Sequence, residues 1–145
     1  MNTLHFAITI NAPKEKVWSI MLDDETYREW TSAFSEGSYY EGSWEEGSKI
    51  LFLDPDGNGI AARIAENRPY EFVSIETVGF VQNGVEDTES EAAKVMAGGY
   101  ENYTFSESDG ATEVQVDMDT SEEYQAMFEE MWPKGLQKLK ELCEK

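Results

Sequence analysis

The sequence predicts an α+β domain: one strand, two short helices, an antiparallel run of further strands, and a long helix at the end. Three observations carry this reading. "LHFAITIN" alternates apolar and polar residues at the strand period, residues 37–81 repeat such runs between glycine-rich turns, and "SEEYQAMFEEMWPKGLQKLKELCEK" spaces its apolar residues along one helical stripe.

In "LHFAITIN", Leu4, Phe6, Ile8 and Ile10 alternate with His5, Ala7, Thr9 and Asn11, so the first strand buries one face. In "NAPKEKVWSIMLDD", Pro13 stands where a first helical turn tolerates proline, and Val17, Trp18, Met21 and Leu22 follow at helical spacing. Asp23 and Asp24 end that run. Tyr27, Trp30 and Phe34 then share one face of a second short helix, which Gly37 breaks. From Gly37 to Val81 the turn signals at Gly47, "DPDGNG" and "NRP" divide an antiparallel meander.

"VEDTESEAAKVMAGG" reads as a polar loop carrying a short helix, opened by a Thr88–Glu91 capping box and stopped at Gly98 and Gly99. "YENYTFSES" and "TEVQVDMDT" are two further strands joined by a hairpin at Gly110. In the tail, Tyr124, Phe128, Met131, Leu139 and Leu142 form the stripe, and Gly135 admits a close neighbour. Pro133 interrupts the backbone bonding there, which predicts a kink or restart near Trp132.

At 145 residues the chain fits a single domain, 1–145. Thirty acidic against 11 basic residues give a formal charge of -19, a field that repels phosphate backbones and anionic headgroups. Neither a nucleic acid nor a membrane is an expected partner. Lys134, Lys138 and Lys140 are read as complementing the carbonyl end of the last helix. Cys143 is the only cysteine, so no internal disulfide forms, and the first residues lack the charged start and apolar run of a signal peptide. A cytoplasmic location is the expectation.

Recognisable catalytic or metal chemistry is absent from the pattern. Only His5 and Cys143 offer nitrogen or sulfur ligands, far apart in sequence, and neither is placed as a nucleophile or its base. No metal, cofactor or catalytic residue is expected. "DPDGNG" matches the first half of a calcium loop, but Ala65 stands where the bidentate glutamate belongs, so the segment reads as a tight turn. Among so many carboxylates most are surface, and the informative groups would be polar residues on inward strand positions. Strand parity sends Arg63 and Glu76 outward, and only a bulge would turn Arg63 toward a ligand carboxylate. The Asn102-Tyr103-Thr104 sequon needs a secretory route and is read as incidental.

The element order, with "INAPKEKVW" near the start, "YENYTFSESDGATEVQVDMD" late and "WPKGLQKLKELCEK" at the end, resembles the START-like or SRPBCC superfamily (Bet v allergen-like). Within it, the chain is most similar to the branch named after the activator of heat-shock-protein ATPase, over essentially its whole length. The resemblance implies a helix-grip: a curved antiparallel sheet of about six or seven strands wrapped around a long C-terminal helix, with two short helices after the first strand and an apolar cavity between. On that pattern the aromatic-rich "EWTSAFSEGSYYEGSWEEG" lies at the cavity mouth. Bulky rings there either plug a gap as core or line it.

The ligand-binding set expected on this basis is Trp30, Phe34, Tyr40, Trp44, Phe52, Ile64, Tyr103, Met118, Phe128 and Met131. The implied function is a small cytosolic protein that takes a hydrophobic or aromatic small molecule into the cavity. The superfamily's range leaves two alternatives open. One is a polyketide cyclase or aromatase-like enzyme in which a Tyr, Arg or Glu moves protons. The other is a cochaperone-like module whose protein partner the sequence does not identify.

Overall fold

Residues 2–145 are described by the computed structural model. Strand β1 (Asn2–Ile10) leads into helices α1 (Lys14–Leu22) and α2 (Asp24–Trp30) and a 3-10 turn, Thr31–Ala33. Strands β2 (Tyr39–Gly42), β3 (Lys49–Leu53), β4 (Gly59–Arg68), β5 (Phe72–Gln82) and β6 (Val85–Asp87) follow. Helix α3 (Glu91–Met96), strands β7 (Tyr100–Ser108) and β8 (Ala111–Thr120) and helix α4 (Glu122–Cys143) complete the chain. The strands make one 8-stranded sheet in the order β1-β8-β7-β5-β4-β3-β2, with β6 beside β5. Every pairing is antiparallel. This is the helix-grip arrangement, with one strand more than the pattern predicts.

The added strand is β6. Its three residues, Val85, Glu86 and Asp87, are too few to show alternation, yet they pair with Phe80–Gln82 of β5 while β7 pairs with Phe72–Glu76 of the same strand. Register shifts at Ala61/Ala62 and Ile64/Glu66 interrupt the β4–β5 ladder, and such bulges bend and twist a sheet. Between them Arg63 stays outward, its guanidinium 2.5 Å from the Glu76 carboxylate on the exposed face. The "DPDGNG" segment is the β3–β4 turn: Asp54 Oδ1 accepts the N–H groups of Asp56 and Asn58 at 2.9 and 3.0 Å. Asp109 and Gly110 both adopt positive φ between β7 and β8, the backbone a two-residue Asp-Gly hairpin requires.

Two local expectations are corrected. Helix α3 is capped by Ser90 rather than Thr88: the Ser90 hydroxyl accepts the Ala93 N–H at 3.1 Å. Asp87 sets this up by accepting the N–H groups of Glu89 and Ser90, which turns the chain before the helix can start. Helix α4 runs through Pro133 as one element, without a restart. Pro133 lies on the exposed side, where the carbonyl it leaves unpaired can be solvated.

The main core fills the space between the sheet and the helices, with Ile10, Val17, Met21, Ile50, Val114, Val116 and Leu139 fully enclosed. The buried stripe of α4 is Trp132, Gly135, Leu136, Leu139 and Cys143. Tyr124, expected on that stripe, is half exposed. Near the end of α4, Lys140 donates to the β1 carbonyl of Thr9 at 2.9 Å and to Glu144 at 2.6 Å, so it ties helix to sheet. Leu139→Ala is expected to cost about 2–5 kcal/mol, because it opens a cavity in the enclosed core, whereas Tyr124→Ala should stay within roughly 0.5 kcal/mol. Urea unfolding of the two variants checks this; equal losses would mean that α4 packs in a different rotation.

Candidate functional site

Helix α2 and the 3-10 turn end in the rings of Trp30 and Phe34, which meet α4 at Trp132, while Phe128 one turn earlier on α4 faces the β3–β4 side across an opening. A cleft of about 220 Å³ results. Tyr27, Trp30, Thr31, Phe34 and Ser38 form one side, Phe52, Leu53, Asp54, Gly59 and Ile60 the β3–β4 side, Glu101 and Tyr103 the floor on β7, and Phe128 and Trp132 the α4 side. Local periodicity sets each pair. Phe52 and Ile60 are cross-strand partners, Glu101 and Tyr103 alternate on the inner face of β7, and Phe128 and Trp132 lie four residues apart on one helix face.

The rings form a continuous network. Trp132 lies 4.9 Å from Phe34, 5.8 Å from Trp30, 6.0 Å from Tyr103 and 6.1 Å from Phe6 between ring centroids. Gly135 makes room for this: a Cβ there would stand 2.8 Å from the Phe34 ring. Trp30 Nε1 donates to the Met21 carbonyl at 3.0 Å, which fixes the indole, while Trp132 Nε1 is buried with no hydrogen-bond partner among the described residues.

Of the expected ligand-binding residues, Trp30, Phe34, Phe52, Tyr103 and Phe128 line the cleft together. Tyr40 and Trp44 do not line it; they pack behind Tyr27 and Phe52 at 5.0 and 5.7 Å, and the Tyr40 hydroxyl donates to the Leu22 carbonyl at 2.7 Å. Ile64 and Met118 are core residues on β4 and β8, and Met131 is half-buried on α4 outside the lining. The aromatic stretch thus divides: Trp30 and Phe34 form wall, Tyr40 and Trp44 form backing.

Sequence reasoning missed Glu101, Tyr27 and Trp132. The signal for Glu101 was its parity with Tyr103 and Phe105, two buried residues of the same strand. The Tyr103 hydroxyl donates a hydrogen bond to the Glu101 carboxylate. Although part of Glu101 is open to the cleft, its surroundings are apolar, and burial pushes its carboxyl up while the Tyr103 bond pulls partly back. Tyr27 is pushed up by burial and next by the Glu101 charge, and Tyr103 is pushed up by the same two causes. No Lys, Arg or His lines the cleft.

Elsewhere the chemistry is quiet. Among the described residues no group of three or more His, Cys, Asp or Glu is placed to hold a metal. His5 pairs with Asp117 at 2.6 Å on the surface. Burial pushes the Cys143 thiol up to about 11, which leaves it protonated and unreactive at neutral pH. None of the helices among the described residues is long and apolar enough to cross a membrane.

Residues 11–144 match the family described as activator of Hsp90 ATPase homolog 1-like protein. The chain belongs to this family. The solved structure of the Aha1 dimer from Colwellia psychrerythraea is similar at a TM-score of 0.75, with 17% identity over 99% of this chain and 97% of that one. Protein MLL2253 from Mesorhizobium loti is similar at 0.75, with 13% identity over 97% and 96% of the two chains. CalU16 from Micromonospora echinospora is similar at 0.65, with 17% identity over 94% of this chain and 73% of that one. At such identities the likeness establishes the shared fold alone. No curated protein matches the chain significantly in sequence.

Within this Hsp90-activator-like fold, Glu101 carries a consequence for stability. Its carboxyl is raised in the folded state, so folding favours the protonated form. That contribution is fully present below the unfolded-state value and is lost as pH rises through the folded-state value. Glu101→Gln keeps an acceptor for Tyr103 without the charge. The variant is expected to melt above the wild type at about pH 8, with the gap shrinking toward about pH 4. Melting curves across that range check it, and a gap independent of pH would contradict the assignment.

Proposed function

We propose that the protein binds a compact apolar or aromatic small molecule in the cleft between sheet and α4. The observation that carries this reading is the lining: seven aromatic side chains from α2, the residue after the 3-10 turn, β3, β7 and α4 converge on one opening, with few polar groups among them. Ligand sites are typically concave, mostly apolar and preformed. The volume of about 220 Å³ is below the roughly 300–1,000 Å³ usual for drug-sized ligands, which favours one or two fused rings over a sterol.

One observation favours a second reading, an enzyme of the cyclase or aromatase kind. Glu101 is an inward carboxylate with a raised carboxyl and a phenol in hydrogen-bond contact, the equipment of a general base whose proton affinity is tuned toward neutral. Turnover of a bound compound, lost in Glu101→Gln while binding persists, would support that reading over a carrier.

The binding reading is tested by thermal shift against compact aromatics, flavonoids, fatty acids and sterols. A ligand at a hundredfold its Kd stabilises the folded state by about 2.7 kcal/mol. Compact aromatics are expected to raise the melting temperature and to perturb tryptophan emission, since Trp30 and Trp132 are walls. Phe34→Trp, which fills the opening, should abolish the shift. An unresponsive panel, or a shift that survives Phe34→Trp, would count against the cleft as the site.

A further inference from the structure

Glu101 is the carboxylate in the cleft that no structural task accounts for. The other acidic lining residue, Asp54, uses its Oδ1 on two backbone N–H groups and so holds the β3–β4 turn. Glu101 accepts one hydrogen bond, from Tyr103, and forms no ion pair among the described residues. An ionised carboxylate among apolar walls is unfavourable unless something positive meets it. A glutamine there would also accept from Tyr103, without burying a charge. Positions that keep a locally unfavourable group are characteristically those where function uses it.

The surroundings say what kind of positive group fits. Tyr27, Trp30, Tyr103 and Trp132 stand around the floor of the cleft, with Tyr27 and Trp30 edge to face at 5.5 Å and Tyr103 and Trp132 at 6.0 Å. Ring faces attract cations, and an aromatic cage with a carboxylate is a recurrent answer to an ammonium group. The lining offers an anionic ligand no basic side chain. The chain's charge of -19 raises the local concentration of cations and lowers that of anions.

We propose that the cleft selects aromatic or apolar molecules that carry a protonated amine, with Glu101 as the counter-charge and the rings around it as the cage. The proposal rests on the cleft being a ligand site. Tyr103 acts here as a positioning residue, because its hydroxyl holds one carboxylate oxygen and leaves the other for the ligand. A ligand hydroxyl can donate to the same oxygen but brings no positive charge of its own to pair with the carboxylate. A ligand carboxylate meets repulsion.

The test is a matched series on one ring system: naphthylethylamine, naphthylethanol and naphthylacetate, titrated by calorimetry at neutral pH into the wild type and Glu101→Gln. The amine is expected to bind about tenfold more tightly than the alcohol, because it adds ion-pair and cation–π attraction to the hydrogen bond both can make, and the carboxylate to bind most weakly. In Glu101→Gln the amine should fall to the level of the alcohol, whose own affinity drops less because it loses only the charge assistance of one hydrogen bond. Tyr103→Phe, which releases the carboxylate oxygen that the phenol holds, should narrow the margin of the amine over the alcohol without inverting the order of the three compounds. An amine that binds no better than the alcohol in the wild type, or an amine preference that survives in Glu101→Gln, overturns the charge assignment while the cleft stands. If the ring binds in none of its three forms, the cleft reading and this proposal fall together. Should Glu101→Gln not fold, the wild-type ratio of amine to alcohol decides the matter alone.

Discussion

The packing of Trp132 is the interaction on which the rest of the structure depends. From one position on α4 its ring meets Phe6 on β1, Trp30 on α2, Phe34 just past the 3-10 turn and Tyr103 on β7. A buried aromatic of this size removes on the order of 150–250 Å² from water, and here it does so against four separate segments at once. The rotation of α4 about its axis is thereby set. With Trp132 inward, Leu136, Leu139 and Cys143 follow it into the core, and Pro133 and Lys134 face solvent. The same choice explains why a proline is tolerated in mid-helix: its missing N–H falls on the side where a carbonyl can be solvated.

The cleft is a consequence of that anchoring. Helix α4 makes its sheet contacts chiefly with β1 and otherwise packs on α1, α2 and the 3-10 turn. The β3–β4 end of the sheet therefore has to be covered by something else. The bulges on β4 and β5 curve this end, and the rings of Tyr27, Tyr40, Trp44 and Phe52 fill behind it, linked at centroid distances of 5.0 to 6.4 Å. They do not reach α4. The space left between them and Phe128 is the opening, and Gly135 keeps Phe34 at its edge by letting the ring sit against the helix backbone.

Much of this was legible in the sequence because burial imposes a period. The alternation in β1 and β8, the helical spacing in α1 and α2, and the Asp-Gly hairpin at Gly110 each appear where local chemistry and tertiary burial agree. Legibility failed where they diverge. Strand β6 is recruited by the edge of β5 that β7 leaves unpaired beyond Glu76, a tertiary fact that "VED" does not encode. Ser90 outcompetes Thr88 as a cap because Asp87 turns the chain two residues later than the Thr88–Glu91 spacing implies. On α4 the period admits more than one rotation, and Trp132 decides among them. Glu101 is the instructive case: it shares strand parity with Tyr103 and Phe105, but in a chain with thirty acidic residues one more carboxylate stands out only when its neighbours on the inner face are counted.

What Glu101 can do is limited by the group that holds it. The Tyr103 phenol is pushed up by burial and by the adjacent carboxylate, so it stays protonated at neutral pH and acts as a donor, never as a base. The same holds for Tyr27. With Asp54 committed to the β3–β4 turn, the Glu101 carboxylate is the group on the cleft floor placed to take up a proton or to present a charge to a ligand. A carrier and a cyclase-like enzyme would share this floor; they differ in whether a bound molecule presents Glu101 with a cation to hold or with a C–H or O–H to deprotonate. Because no basic side chain among the described residues lines the cleft, and the Tyr103, Thr31 and Ser38 hydroxyls already donate within the protein, negative charge developing on a substrate would find few uncommitted donors, the Tyr27 hydroxyl and the Trp132 indole N–H. The Glu101 carboxylate and the ring faces around it suit a cation, whereas so few uncommitted donors leave a developing enolate thinly held, and that asymmetry is the physical reason to place the carrier reading ahead of the enzyme.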